Sequence, residues 1–321
     1  MAPSDAQTAM DHSQNLPSPS TPAGRGNFGE RQEAGRRDWG FHAHQSIYEF
    51  AGGFVAGRRC LEIGCGTGYG LRRLLEAGAT GFVAIDKDAA VLESLRDQLP
   101  DVECRCRDLD IEGLGVAAGT CDLVFSSNVF EHLTDPDRII AEASAALTDD
   151  GLAIIAVPPV TSVELLAANA RNIFHVTNIP PRSWAAKLAR GFHEVRQYRH
   201  WVVPRLVTAA GDLDRDAARQ GDFTFAITED HDIRTITAIF VARRPRRPPI
   251  AEPQADEGCP PAWRAAKVEA DARQAMVMDL KRQLAEMETW ARENRAGGVD
   301  PAVILDGICR QLAFLTGREP S

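Results

Sequence analysis

Short apolar runs alternate with amphipathic segments along much of the chain. The apolar runs predict strands at 59–63, 81–85, 102–106, 121–128, 152–157, 192–200 and 235–242. Helical patterns lie between several of these runs, as at 89–99 and 136–147. Strands that alternate with helices in this way form a parallel sheet that is covered by helices on both faces. The pattern therefore predicts an α/β fold.

A glycine-rich turn joins the first predicted strand to the helix that follows it. Gly64, Gly66 and Gly68 lack Cβ atoms, so a ligand can lie directly against the main chain. The N–H groups at the start of the next helix favour a negatively charged group. The spacing does not fit the dinucleotide pattern G-x-G-x-x-G, because its third glycine falls on Tyr69 or Leu71. A glycine-rich hairpin without a ligand is the alternative interpretation.

An acidic residue ends the second predicted strand. Asp86 is placed to accept hydrogen bonds from both ribose hydroxyls of a nucleoside. Asp88 is interpreted instead as the cap of the helix at 89–99. A nicotinamide-dependent enzyme also needs an acid at the end of this strand. Only the glycine spacing therefore separates that class from enzymes that bind another nucleoside cofactor.

These motifs, in this order, resemble the class I S-adenosylmethionine-dependent methyltransferases over residues 40–243. The resemblance includes an acid followed by G-x-G-x-G, an acid after the second strand, and the triplet Glu131-His132-Leu133 after the fourth. It implies a Rossmann-like, mostly parallel seven-stranded sheet of order 3-2-1-4-5-7-6, with S-adenosylmethionine as the cofactor. The cofactor-binding positions that it implies are Glu62, Gly64, Cys65, Gly66, Gly68, Asp86, Lys87, Asp108, Leu109, Ser126 and Asn128.

Within that set, the resemblance gives the third strand a role toward the adenine ring. Asp108 is the position that receives the adenine amino group, and the backbone of Leu109 meets the ring. Asp110 is interpreted as the cap of a short helical turn.

Two histidines and one glutamate are the candidate catalytic residues. His132 follows the fourth strand and is either a general base or a residue that packs at the start of the next helix. Glu131 beside it is placed to orient His132 or the cofactor. His175 lies in a segment similar to histidine-threonine segments of methyltransferases from bacterial glycan and cell-surface pathways, where they cover the acceptor site. A histidine has a reference pKa of about 6.5, which suits a base at neutral pH, although His175 is equally interpreted as an ordinary loop residue.

The resemblance therefore implies methyl transfer to a sugar, a glycan or another small-molecule acceptor, at oxygen. Two alternatives come from other classes of protein. The first is a methyltransferase-like scaffold that has lost turnover and acts through its C-terminal helices. The second is a nicotinamide oxidoreductase, which the glycine spacing disfavours.

Composition favours a cytoplasmic enzyme with a sizeable core. The 321 residues carry a net charge of −9, which argues against a broad nucleic-acid surface. No apolar run is long enough for a membrane span, and no secretory signal is recognisable. Cys104 and Cys106 share one strand face but are interpreted as core residues, and His42 and His44 lack a third ligand. We therefore expect no metal site.

The ends of the chain differ in character from the methyltransferase-like domain, which we place at 28–243. Residues 1–27 are predicted to be disordered, and 244–262 to form a linker rich in proline and arginine. The segment 31–54 is either a lid over the cofactor or a helix with a core face. The extension at 263–321 is predicted to be helical, and the apolar stripe within 263–295 favours either a coiled coil that makes a homo-oligomer or packing onto the domain.

Overall fold

The computed structural model describes residues 38–172, residues 174–247 and residue 275. The predicted tail, most of the predicted linker and the predicted helical extension lie outside the described residues, apart from residue 275. None of the described helices is both long and apolar enough to span a bilayer.

Eight strands form one sheet. They are β1 (Arg59–Ile63), β2 (Gly81–Asp86), β3 (Glu103–Cys106), β4 (Cys121–Ser127), β5 (Leu147–Val157), β6 (Phe192–Val202), β7 (Phe223–Thr228) and β8 (Ala238–Pro245). Their order across the sheet is β3-β2-β1-β4-β5-β8-β6-β7. The first five strands pair in parallel, whereas β8 is antiparallel to β5 and β6, and β7 is antiparallel to β6.

The predicted Rossmann-like order is confirmed, and the predicted strand count is corrected. The two last predicted strands correspond to β6 and β8, so the order 3-2-1-4-5-7-6 holds for the seven expected strands. The eighth strand, β7, is added at the edge beyond β6. Only Phe223 of its six residues is buried, so its position depends on backbone pairing more than on a buried face that the sequence could reveal.

Seven α-helices accompany the sheet within the described part of the chain. They are α1 (Trp39–Gly52), α2 (Leu71–Glu76), α3 (Ala89–Gln98), α4 (Leu109–Glu112), α5 (Pro136–Ala146), α6 (Val163–Asn169) and α7 (Pro181–Gly191), with 3-10 turns at Phe130–His132 and Pro204–Leu206.

Two buried apolar clusters cover the two faces of the sheet. One contains Leu61 and Ile63 of β1 with side chains of α5 and α7, and the other contains Cys60 of β1 with side chains of α1, α2 and α3. Successive residues of a strand point to opposite faces, so β1 contributes to both clusters. Helices therefore lie on both faces, and the carboxyl ends of the parallel strands remain at one edge of the layers.

The last strand continues past the expected end of the domain. Strand β8 ends at Pro245, two residues into the segment that was predicted to be a linker. Beyond it, the backbone N–H of Arg246 donates to the carbonyl of Gly191 at 2.8 Å, and the Arg247 guanidinium pairs with Asp149 at 3.0 Å. These arginines therefore extend the folded domain to at least residue 247.

Candidate functional site

The glycine turn after β1 is held close to the loop after β4. Gly64 has φ +74°, and a Cβ atom there would lie 2.3 Å from a methyl carbon of Val129. Gly66 has φ +52°, and no described atom lies within 4 Å of where its Cβ would be. Residues with side chains rarely adopt these angles. The turn thus packs tightly at Gly64 and leaves open space at Gly66.

Asp86 connects the end of β2 to this turn. One carboxylate oxygen accepts from the backbone N–H of Gly66 at 2.9 Å, and the other accepts from the N–H of Asp88 at 3.0 Å. Asp88 caps α3, as predicted, by accepting from the N–H groups of Ala90 and Val91. Asp86 therefore fixes the position of the glycine turn in addition to any contact with a ligand.

Glu62 is a buried acid at the carboxyl end of β1. The Tyr48 hydroxyl donates to its Oε1 at 2.6 Å, and the side chain is almost fully enclosed. Burial raises the pKa of Glu62 to about 8, the Tyr48 hydrogen bond opposes the shift, and the charge of Asp86 adds to it. Its Oε2 has no hydrogen-bond partner among the described residues, and the same is true of the Tyr69 hydroxyl and the Ser127 hydroxyl. Buried polar atoms normally have hydrogen-bond partners, so we expect a ligand or water to bind these three atoms.

Other predicted cofactor positions serve as supports for the turn and the sheet. The backbone N–H of Cys65 donates to the carbonyl of Ile85 at 3.1 Å. The Ser126 side chain is fully buried, and its hydroxyl donates to the carbonyl of Ile63 at 3.1 Å, so it joins β4 to β1. Lys87 is exposed. Tyr48 and Ser127 were not among the predicted positions, although Tyr48 bonds to Glu62 at the end of β1 and the buried Ser127 hydroxyl ends β4.

The turn after β3 differs in one detail from its prediction. Asp108, and not Asp110, is the N-cap of α4, because its carboxylate accepts from the N–H of Asp110 at 3.0 Å. Asp110 instead accepts from the backbone and the hydroxyl of Thr134, both at 2.9 Å. Leu109 is buried at the start of α4. The cap position favours Asp108 because its extended backbone lets the side chain reach the helix start.

Helix α1 packs across this edge of the sheet. The Asn128 amide donates to Nε2 of His44 at 2.8 Å, and Asn128 has a left-handed φ of +54°. Tyr48 is buried against the rings of Tyr69 and Phe125, at centroid distances of 5.3 and 4.9 Å. The interpretation of this segment as a helix with a core face therefore holds for Tyr48.

The three candidate catalytic residues lie together. Glu131, His132 and His175 each offer a side-chain ligand atom, and these atoms all lie within 4.8 Å of one another. The two imidazole rings are 4.9 Å apart between centroids, at an interplanar angle of 68°. Glu131 and His175 are buried and His132 is half-buried. We call these residues the 131–132–175 cluster.

Backbone contacts join the two segments that carry the cluster. The N–H of Thr177 donates to the carbonyl of Glu131 at 2.9 Å, and its hydroxyl donates to the carbonyl of Leu133 at 2.6 Å. The cluster follows Val129 by two residues, and Val129 lies against Gly64. Two members of the cluster therefore lie on the loop that packs against the glycine turn.

Comparison with known proteins identifies the domain. Residues 61–155 match the family described as a methyltransferase domain. A probable S-adenosylmethionine-dependent methyltransferase of Mycobacterium tuberculosis is 31% identical over 118 residues, which are 37% of this chain and 42% of that protein. The domain belongs to the class I S-adenosylmethionine-dependent methyltransferases.

Two further proteins resemble parts of this chain. A tRNA U34 carboxymethyltransferase of Alcanivorax borkumensis is 31% identical over 153 residues, 44% of this chain and 47% of that protein. The solved structure of an S-adenosylmethionine-dependent methyltransferase from Mesorhizobium loti covers 63% of this chain and 98% of its own, with 18% identity and a TM-score of 0.47. The chain spans less than half the length of the two curated relatives named here.

The cofactor of the methyltransferase domain is S-adenosylmethionine, and the residues of the domain fit this cofactor. The space beside Gly66 admits a ligand against the main chain. The buried oxygen of Glu62 and the hydroxyls of Tyr69 and Ser127 are polar atoms that such a ligand can satisfy. An anionic Glu62 would also complement the positively charged parts of the cofactor.

Proposed function

We propose that the methyltransferase domain methylates an oxygen atom of a small-molecule acceptor, with sugars and glycans as the preferred class. The observation that carries the proposal is the meeting of Glu131, His132 and His175, the first two of which lie on the loop that packs against the glycine turn. A hydroxyl must lose its proton as the new carbon–oxygen bond forms, whereas an amine can lose it afterwards. Two imidazoles and a carboxylate at this edge of the sheet are therefore suited to a hydroxyl acceptor.

The cofactor is held by residues of the first three strands in this proposal. Asp86 accepts from the ribose hydroxyls, Asp108 receives the adenine amino group, and the backbone of Leu109 meets the adenine ring. Gly66 admits the methionine part of the cofactor to the main chain, while Gly64 and Gly68 let the turn pack closely against Val129 and Leu95. Ser127 is added to the predicted set because its buried hydroxyl lacks a partner among the described residues.

The cofactor supplies an electrophilic methyl group on a sulfonium, so the protein has mainly to align the acceptor behind it. Alignment of this kind contributes about 7–11 kcal/mol. The 131–132–175 cluster adds removal of the hydroxyl proton, which is worth roughly 10²–10⁴-fold in rate. His175 reaches the site on the segment between α6 and α7, which we propose covers the acceptor.

The tRNA-modifying relative makes RNA the alternative acceptor. The net charge of −9 opposes this alternative, because RNA binding depends on clustered Lys and Arg that neutralise phosphates. A scaffold without turnover and a nicotinamide oxidoreductase remain the alternatives from other classes. The four possibilities differ in the cofactor that binds and in the acceptor, if any, that is methylated.

Calorimetric titration with S-adenosylmethionine, S-adenosylhomocysteine and NADH is the first test. We expect the two sulfur compounds to bind and NADH not to bind, and we expect Gly66→Val to lose their binding because its side chain fills the space beside the turn. Transfer of labelled methyl groups to sugar, small-molecule phenol and tRNA acceptors then separates the acceptor classes. Binding of neither sulfur compound would reject the proposed function. Binding without transfer to any acceptor would favour the scaffold.

A further inference from the structure

The hydrogen bonds around His132 fix which ring nitrogen carries its proton. Nδ1 of His132 lies 2.8 Å from the carbonyl oxygen of Phe174. A carbonyl oxygen can only accept, so Nδ1 is the donor. In the neutral ring, the lone pair is then on Nε2, which is the nitrogen that can bind a metal ion.

A chain of amides fixes the tautomer of His175 in the same way. The Asn178 amide nitrogen donates to the carbonyl of His175 at 2.8 Å, so its oxygen accepts from the Asn169 amide nitrogen at 2.6 Å. This arrangement directs the oxygen of Asn169 to Nδ1 of His175, at 2.7 Å. Nδ1 is again the donor, and Nε2 carries the lone pair of the neutral ring. Asn178 is fully buried, which holds the chain in place.

In proteins generally, a metal-binding histidine has a hydrogen bond of this kind. A ligating imidazole donates its other N–H to a carbonyl or carboxylate oxygen, which fixes the tautomer and orients the ring. Both histidines of the 131–132–175 cluster have such a donor contact, one to a backbone carbonyl and one to a side-chain amide oxygen. Both rings, whose centroids are 4.9 Å apart, therefore have the hydrogen bond that orients a metal-binding histidine.

The third member of the cluster supplies negative charge. The Glu131 carboxylate is 1% exposed, so its oxygens are available as ligands within the buried cluster. Two imidazole nitrogens and one carboxylate are the ligand set of catalytic zinc sites, which keep a further position for water or substrate. Magnesium and calcium prefer oxygen ligands throughout. The cluster therefore favours a transition metal of the zinc type.

The distances allow one ion to contact all three side chains after a small adjustment. Zinc bonds of about 2.0–2.1 Å in tetrahedral geometry place ligand atoms roughly 3.3 Å apart. The cluster's ligand atoms lie within 4.8 Å of one another, so modest rotations of the side chains bring them to this separation.

We propose that Glu131, His132 and His175 bind a divalent zinc-type ion with an open coordination position. Binding of the ion does not depend on the proposed function, but its catalytic role does. In that role, the acceptor hydroxyl would occupy the open position, and the ion, in place of a histidine base, would promote loss of the hydroxyl proton to solvent. Its oxygen then bonds to the methyl carbon, the carbon–sulfur bond breaks, and the electron pair stays on sulfur. The products are the methyl ether, the thioether and one proton.

The test uses the full chain, prepared without a histidine tag and stripped with a chelator. Titration with Zn²⁺ is expected to show one ion per chain, with binding lost in His132→Ala, His175→Ala and Glu131→Gln. His193→Ala is the matched control, because this exposed histidine lies outside the cluster and its loss should leave affinity unchanged.

Asn169 acts through His175, so it is a positioning residue with its own test. Asn169→Ala should weaken Zn²⁺ binding by about 10–100-fold, the usual effect of removing a group that orients a ligand. The thermal midpoint of the metal-free variant, measured in parallel, separates this effect from a general loss of stability.

A measurement on the unsubstituted protein covers variants that fail to fold. In the Co²⁺-loaded protein, two paramagnetically shifted imidazole N–H signals are expected, because both Nδ1 protons are held by oxygen acceptors. Absence of saturable Zn²⁺ binding, absence of these signals, or equal binding by the cluster variants and the control would overturn the site.

S-adenosylmethionine binding on the same samples keeps the two proposals separable. Zinc binding without cofactor binding would reject methyl transfer and retain the metal site. Methyl transfer that survives complete removal of metal would overturn the ion's catalytic role and leave the histidines as the base.

Discussion

The two sides of the proposed site are built in different ways. On the cofactor side, a turn and two strand ends come from one continuous stretch, and Asp86 reaches Gly66 across only 20 positions of sequence. On the acceptor side, the contact between His132 and Phe174 spans 42 positions, and that between Thr177 and Leu133 spans 44. The first side depends on backbone conformation, which local sequence dictates. The second depends on two distant segments that meet, which local sequence does not dictate.

This contrast suggests a division of labour within the domain. In the proposed site, local motifs hold the part that meets the cofactor, and the segment between β5 and β6 supplies the part that meets the acceptor. Substitutions on the two sides should therefore have separable effects on cofactor affinity and on the rate of transfer.

The largest expected effect is on the acceptor side. His175→Ala should slow a single turnover of methyl transfer by roughly 10²–10⁴-fold, because the cluster would no longer remove the hydroxyl proton. Cofactor affinity should change little, since the ring of His175 contacts Asn169 and His132. His193→Ala serves as the control. A loss smaller than tenfold would mean that His175 is not the group that removes the proton.

The next effect is on the cofactor side. Asp86→Ala should weaken S-adenosylmethionine binding by about 1.5–3 kcal/mol, the range for hydrogen bonds to charged groups. Part of this loss would come from the glycine turn, because Asp86 also accepts from Gly66 and Asp88. The measurement is calorimetric titration.

Asp88→Ala separates the ligand contact from general damage to the helix. This variant removes the cap of α3 and should cost about 1 kcal/mol of stability, with Asp86 left in place. If the two variants bound the cofactor equally well, Asp86 would not contact it.

The comparison also explains what the sequence could predict. Strand β1 begins and ends where its apolar run does, and the strand order follows from alternation and from the family resemblance. The glycines and Asp86 belong to one local unit, so their proximity was predictable. The sequence does not distinguish the hydroxyl of Ser126, which bonds to Ile63, from that of Ser127, because neighbouring strand residues face opposite sides of the sheet.

Other features of the fold and of the site could be recognised only in the folded structure. The edge strand β7 has little buried surface to reveal it, and the exchange of the cap between Asp110 and Asp108 depends on one backbone angle. The sequence indicates His132 and His175 as two separate candidate catalytic residues. Their meeting depends on Thr177, whose N–H and hydroxyl bind two carbonyls of the other segment. No local pattern encodes that contact.

A third prediction concerns the pH dependence of cofactor binding. Because burial raises the pKa of Glu62 to about 8, its side chain is largely protonated at neutral pH. If its carboxylate meets a positive group of the cofactor, affinity should rise with pH up to about pH 8, by as much as tenfold per unit. Glu62→Gln should remove this dependence. A flat profile for the unsubstituted protein would exclude the contact.

The same shift has a consequence for stability, with the opposite slope. The native state retains a proton on Glu62 that the unfolded chain releases above its ordinary pKa of 4.5. The free energy of unfolding should therefore decrease as the pH rises from 4.5 to about 8, and this part of the decrease should be absent in Glu62→Gln. Denaturant titrations at several pH values measure it.

The smallest expected effect is at the opposite end of the sheet. Arg59 begins β1 and pairs with Asp122 near the start of β4, with one N–O distance of 2.9 Å, and this pairing lowers the pKa of Asp122 to about 2. Both side chains are partly exposed and solvent screens their attraction, so the pair should contribute little to stability. A lowered pKa means that this contribution is present above 3.8, the ordinary value, and is lost as the pH falls through about 2. Asp122→Asn should therefore lower stability slightly at neutral pH, and leave cofactor affinity and transfer rate unchanged. A change in either of those would show that the two ends of the sheet are coupled, and that the site is less local than its contacts indicate.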